Sequence, residues 1–239
     1  MRPGRLLLLV AVVIVLLLAM SGLGTRLGVW SFRTGLAMLR WSAYAGVAVA
    51  AGAMIALTIP KLRANVVGTL LLSAALGLGT AYLPWQWSRQ AQSVPPIHDI
   101  STDLADPPAF VAVLPHRANA PNPAAYGGPE VAAAQRTAYP DIQPLELSML
   151  PAAAYARAFA AARAMGWEIV AAEPAAGRIE ATATTRWFGF KDDVVVRVRG
   201  TSAGSRIDAR SVSRVGRGDV GTNARRIRAY FAEIRRAEK

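Results

Sequence analysis

Cysteine is absent from this chain of 239 residues. That excludes a disulfide framework, thiol catalysis and cysteine-ligated metals, and it leaves the redox compartment open. Charge is missing from three long stretches. Leu6 to Thr25, Trp41 to Pro60 and Ala64 to Ser88 contain no Asp, Glu, Lys or Arg, and each matches the roughly 20 residues that a helix needs to cross about 30 Å of hydrocarbon. Transmembrane helices are therefore expected at 6–25, 41–60 and 64–84. A Gly-x-Ser-x-Gly elbow between a strand and a helix is also lacking, since Gly200-Thr201-Ser202-Ala203-Gly204 falls between two alternating, strand-like segments, which argues against a serine hydrolase of that design.

The apolar fraction of 53% comes mostly from the front of the chain, and the remainder is ordinary in composition. Of 27 basic residues, 17 lie between Gln143 and Lys239 against 10 acidic ones, leaving that part at +7. Nearly all are Arg, whose planar fork suits ion pairs, anions and lipid phosphates. A membrane-tethered basic domain meets headgroups before it meets nucleic acid. The partners expected are the lipid bilayer and, beyond it, anionic lipid, an envelope polymer or a membrane protein; nucleic acid and cofactors are not expected.

Orientation follows from charge asymmetry. Arg2, Arg5, the terminal amine, Lys61 and Arg63 fall on one side of a three-span arrangement, and Arg26, Arg33, Arg40 and Arg89 on the other. The basic start before Leu6 favours a cytoplasmic N-terminus. The same stretch resembles a signal peptide, with Ala19 and Ser21 at a plausible cleavage site. Three retained spans or two after cleavage both put the C-terminal domain outside the cytoplasm, on the periplasmic side of an inner membrane.

The expected organisation is a membrane anchor at 1–88, a proline-rich segment at 89–144 and a folded domain at 145–239. Ten of the fifteen prolines lie between Val94 and Leu145, so extended loop is expected there, apart from a short turn at Glu130 to Arg136. Ile97, Ile100 and Phe110 are apolar residues that a spacer would not need, which predicts packing on the domain. In the domain, Leu145 to Leu147 reads as a strand and Pro151 to Met165 as a helix ended by Gly166. Strands follow at Trp167 to Ala172, Arg178 to Phe188, Lys191 to Arg199 and Arg206 to Arg214, the last three with strict alternation. A final helix from about Asp219 buries Ile227, Tyr230, Phe231 and Ile234. The fold class predicted is α+β: an antiparallel sheet with two helices on one face, preceded by about three transmembrane helices.

The segments His98 to Asp103, Gly166-Trp167, Glu180 to Asp193 and Arg210 to Arg226 resemble those of the bacterial and plastid proteins grouped as domain of unknown function 1499. The resemblance spans roughly Pro95 onward and leaves out the apolar runs. It implies an extracytoplasmic or membrane-attached domain and brings no activity with it. Gly216, Gly218 and Gly221 match G-x-G-x-x-G between a strand and a helix, but the dinucleotide fingerprint needs a second parallel strand with an acidic residue about 20 positions on. Glycines in a tight turn, with Asp219 capping the helix, explain the motif better. Arg217-Gly218-Asp219 spells an integrin-type tripeptide by coincidence.

Three places could carry function. His98, Asp99 and Asp103 could bind a ligand or support a metal- or carboxylate-assisted hydrolase, and assembling them with Ser211 or Ser213 into a triad fails because alternation points both serines under the helices. Arg197, Arg199, Arg210 and Arg214 share a sheet face with Arg186, Glu180 and Asp208, read as a solvated cross-strand ion-pair face or an anion-binding surface. Gly68, Ser73, Ala74, Ala75, Gly77 and Gly79 give the third span a small-residue face suited to close helix contact. The function expected is that of a non-catalytic envelope binding or accessory module; the alternative is the hydrolase at His98 to Asp103.

Overall fold

The computed structural model describes residues 3–236. Arg2 and the terminal amine of the charge count, and residues 237–239, lie outside the described residues. The chain divides into two compact units, one running to Gln90 and including Arg186–Gly189, the other formed by Ala91–Thr185 and the residues from Phe190 on.

The first unit is helical. Helices α1 (Pro3–Arg26), α2 (Phe32–Thr58) and α4 (Val67–Gln92) are joined by tight connections, the second containing the one-turn helix α3 (Pro60–Arg63). All three long helices are long and apolar enough to cross a membrane. The second begins nine residues before the expected Trp41, because Ser31 supplies an N-cap, its side chain accepting the Thr34 amide at 3.2 Å. It stops at Thr58, before a residue whose backbone Pro60 forces out of the helical region. The backbones of α2 and α4 come together at two glycines: a Cβ on Gly77 would stand 2.4 Å from the Gly46 carbonyl oxygen. The small-residue face of the third span is thus divided. Ser73, Ala74 and Gly77 are buried within the unit, whereas Gly68 and Gly79 have nothing within 4 Å of a built Cβ.

The second unit is α+β. Strands β1 (Asp99–Ser101), β2 (Leu145–Leu147), β3 (Glu168–Glu173), β4 (Arg178–Thr184), β5 (Lys191–Thr201) and β6 (Gly204–Ser213) form one antiparallel sheet, ordered β1-β6-β5-β4-β3. The short β2 shares the outer edge of β6 with β1, Leu145 opposite Ile207 and Ile100 opposite Ser211. Helices α5 (Gly128–Ala138), α6 (Pro151–Ala164) and α7 (Thr222–Arg236) complete the unit. The turn expected at Glu130 to Arg136 is therefore a helix of three turns. The strand expected to reach Phe188 ends at Thr184: the Thr185 amide donates to the Phe190 carbonyl and the Phe190 amide to the Thr185 hydroxyl, both at 2.8 Å, which closes a turn instead.

Alternation then decides what each face becomes. Ile179, Ala181, Val194, Val196, Ile207 and Ala209 point under α6 and α7, where Tyr155, Ala158, Ile227, Tyr230 and Phe231 complete the main core. The Tyr230 hydroxyl, fully enclosed, donates to the Ala158 carbonyl at 2.8 Å and ties the helices together; burial pushes its ionisation far up. The opposite face carries Glu180, Thr182, Asp193, Arg197, Asp208, Arg210 and Arg214, all buried or nearly so. It is covered by the proline-rich segment, whose Phe110 and Val113 pack on Val195 and Val212 in a second apolar cluster.

Candidate functional site

The covered face is an ionic layer assembled from two distant parts of the chain. The strands contribute Arg197, Arg206, Arg210 and Arg214 together with Glu180, Asp193 and Asp208, and residues 99–117 bring Asp99, Asp103, Asp106 and one further Arg. Arg210 lies at its centre, 2% exposed. Its Nε donates to Asp99 Oδ1 at 2.9 Å and its Nη2 to Asp99 Oδ2 at 2.7 Å. The remaining protons go to backbone carbonyls of the covering segment, Pro108 at 3.2 Å and Ala124 at 2.8 Å. The rings of Phe110 and Tyr126 lie 5.2 and 5.3 Å from the guanidinium, within cation–π range. Burial pushes the Tyr126 phenol up to about 12.

A second centre is Asp193. Arg214 donates to both of its oxygens, at 2.9 and 2.8 Å, Arg117 to Oδ2 at 2.6 Å and the Thr182 hydroxyl to Oδ1 at 2.7 Å. Burial alone would push this carboxyl up; the hydrogen bonds from Arg214, Thr182 and Arg117 outweigh it and hold the group below the ordinary aspartate value. Arg117 also reaches the Asn122 carbonyl at 3.1 Å, so it pins the segment as well as the charge.

Toward the far end of β5 and β6, Asp208 accepts from Arg197 at 3.0 Å and from Arg206 at 3.0 Å. Both cations also meet Asp103, at 3.1 and 2.8 Å. Arg199 is half exposed and pairs with the exposed Asp106 at 2.7 Å. Glu180 completes the layer. Its carboxylate accepts the backbone amides of Val111 and Val113, at 3.0 Å each, and so fastens the covering loop to β4.

This arrangement corrects the expectation of a solvated Arg face. Arg210 is enclosed and committed to Asp99, Arg214 and Arg197 are largely covered and committed to Asp193 and Asp208, and of the four Arg199 alone is exposed. Arg186, expected on the same face, lies beyond the end of β4, in the turn that groups with the helical unit. His98, Asp99 and Asp103 are adjacent in sequence but diverge in space. Asp99 turns inward to Arg210 and Asp103 to Arg197 and Arg206, while His98 Nδ1 lies 3.3 Å from the Arg217 carbonyl oxygen. Among the described residues no group of three or more His, Asp or Glu side chains could hold a metal ion. The three side chains thus hold different partners and share none.

Ser211 and Ser213 sit on the helix-covered face. Ser211 donates to Asn223 Oδ1 at 2.7 Å and accepts from Arg226, and Ser213 accepts from Asn223 Nδ2 at 3.0 Å. Neither has His98 as a side-chain partner. The Gly-rich turn is a cap. Asp219 accepts the amides of Gly221 at 2.8 Å and Asn223 at 2.6 Å, so the first turn of α7 is satisfied by its own chain where a pyrophosphate would sit. Burial pushes the Asp219 carboxyl up, only partly countered by those amides. It is also enclosed, and so withheld from any integrin-type contact.

Phe110 packs on the domain as its apolar character predicted, whereas Arg117, Asp106 and Tyr126 belong to the layer and were not read from the sequence. The signal that could have found them is countercharge: Asp99, Asp103 and Asp106 cluster in the proline-rich segment, matching an Arg-bearing strand face that needs partners.

Comparison with known proteins supports one assignment. A family model described as "Protein of unknown function (DUF1499)" matches residues 99–234. No curated protein and no solved structure gives a match. The matched residues run from β1 to the last turn of α7 and so include the whole sheet and its ionic layer. They make up more than half of the chain, which belongs to the DUF1499 family.

Proposed function

We propose that this chain is an integral protein of the inner membrane whose sheet domain stands on the extracytoplasmic side and serves as a non-catalytic binding or accessory module of the envelope. The observation that carries the reading is the commitment of the layer's carboxylates. Asp99, Asp103, Asp193 and Asp208 each accept from at least one guanidinium, and Glu180 accepts two backbone amides. Groups so occupied hold a fold together and have no lone pair directed at a substrate, whereas an acid or base needs reach to a reacting atom. The three membrane-long apolar helices support the anchoring, and the basic start of the chain supports a cytoplasmic N-terminus.

The natural lack of cysteine makes the test direct. In Ala109→Cys, at an exposed position of the covering segment, an impermeant maleimide added outside the inner membrane should label the protein in intact spheroplasts. Labelling only after the membrane is opened would overturn the topology. Turnover of envelope esters or phosphoesters that survives in wild type and vanishes in Asp103→Asn, with the fold intact, would overturn the non-catalytic reading.

A further inference from the structure

The two faces of the sheet differ in how their charge is balanced. Inside the ionic layer, Arg197, Arg206, Arg210 and Arg214 each meet a carboxylate. The outer surface of the helix layer is built differently. Helix α6 buries Ala154, Tyr155, Ala158, Ala161 and Ala162, and α7 buries Ile227, Tyr230, Phe231 and Ile234, so their remaining sides point away from the sheet. Arg163 on α6 and Arg225, Arg228, Arg235 and Arg236 on α7 are exposed there. Helix α6 contains no acidic residue, and α7 contains only Glu233, which pairs with Arg236 at 3.1 Å. Arg228 pairs with Asp141. Among the described residues Arg163, Arg225 and Arg235 make no ion pair.

The ground between these cations is low. Exposed Ala153, Ala156, Ala160 and Ala164 on α6, with Ala229 and Ala232 on α7, present methyl groups only, so the longer guanidinium arms stand above a smooth floor. With Arg236 and Arg228 paired to Glu233 and Asp141, three cations are left uncompensated on this surface, and such an excess of one sign attracts an opposite charge. Guanidinium forks match phosphate oxygens in geometry.

We propose that the outer face of the α6–α7 layer is a docking surface for anionic lipid headgroups. The inference rests on the membrane anchoring proposed above, since the apolar helices bring a bilayer within reach of the domain in the same chain. A smooth floor edged by arginines fits a plane of headgroups, and it lacks the walls that would track a single polymer strand. The attraction is between exposed charges, so it is screened over about 8 Å at physiological salt and about 3 Å at 1 M.

The test uses the full chain in nanodiscs, with single cysteines at Ala160 or Ala232 on this face and at Ala109 on the covering segment. Failure to enter discs would remove the anchoring and the proposed function with it. In discs doped with phosphatidylglycerol, neutral-maleimide labelling at 160 and 232 should slow about ten-fold relative to phosphatidylcholine discs, recover at high salt, and stay unchanged at 109. The double change Arg163→Gln with Arg235→Gln should abolish that slowing without altering the melting temperature. Equal labelling in both kinds of disc, or equal slowing at 109, would overturn the proposal while leaving the anchor intact. Protection by soluble polyphosphate in phosphatidylcholine discs without any by phosphatidylglycerol would overturn it in favour of an envelope polymer.

Discussion

Asp99 and Arg210, 111 positions apart, meet fork to fork, Nε to Oδ1 at 2.9 Å and Nη2 to Oδ2 at 2.7 Å, beneath the rings of Phe110 and Tyr126. Taking two charges out of water is costly, and removing one partner strands the other. Asp99→Leu or Arg210→Met alone should therefore destabilise the domain by about 3–5 kcal/mol, whereas the two changes together should recover a large part of that loss. Thermal unfolding of the four proteins followed by tryptophan fluorescence makes the comparison. Equal losses in the double variant and in the sum of the single ones would show that the two residues act independently.

Glu180 is a fastening for the loop above it. Glu180→Ala leaves the amides of Val111 and Val113 without their acceptor, at a cost of about 1–3 kcal/mol for each buried group left unsatisfied. Hydrogen exchange at these two amides should accelerate well before the strand amides of β5 do. Unchanged protection at both would mean that the loop is held by Phe110 and Val113 alone.

Acid should loosen the layer at Asp193. Its folded-state value lies below the ordinary 3.8, so between the two values the unfolded chain binds more protons and stability rises with pH. The contribution is fully present above the ordinary value and is lost as pH falls through the folded one. Urea melts recorded from pH 5 downward should show this slope in wild type and a flatter one in Asp193→Asn.

Asp219 has the opposite sign. Its folded value is raised, so its charged form costs stability above that value, and the cost is relieved as pH falls toward the ordinary 3.8. The cap still outweighs this penalty: Asp219→Ala should lower stability by about 1–2 kcal/mol, since it orphans the amides of Gly221 and Asn223. A dinucleotide should leave the melting temperature of wild type unchanged; a clear upward shift would show that the turn accepts a phosphate despite its cap.

Periodicity made the sheet and its helices legible. Ile179, Ala181 and Ala183, or Val194, Val196 and Val198, alternate so regularly that their inward direction follows from spacing alone. The same alternation could not say what lies over the other face. Glu180, Arg197, Asp208 and Arg210 make one pattern whether water or protein covers them, and the cover comes from residues 102–126, which have no period to read. Nor could local spacing show that Trp187 and Phe188 lie past the end of a strand, because their alternation with Arg186 continues the pattern while the turn is fixed by bonds between Thr185 and Phe190. The layer was half visible: Asp193 and Asp208 stood in the strands beside their arginines, while Asp99 and Asp103 lay about a hundred residues away.

That separation has a kinetic side. Strands β3 to β6 join neighbour to neighbour, closing short loops, whereas β1 must find β6 across more than a hundred residues, Ile100 opposite Ser211. Long-range pairing costs more chain entropy before it returns any contact. The hairpins can therefore form first, with Arg210 and Arg214 still in water, and the arrival of Asp99 and Arg117 is the late event that seals them. For the interval between, Arg214 and Arg197 already hold Asp193 and Asp208 across the hairpin, but Arg210 has no countercharge, and the rate at which the proline-rich segment comes home decides how long that guanidinium stays available to stray anions.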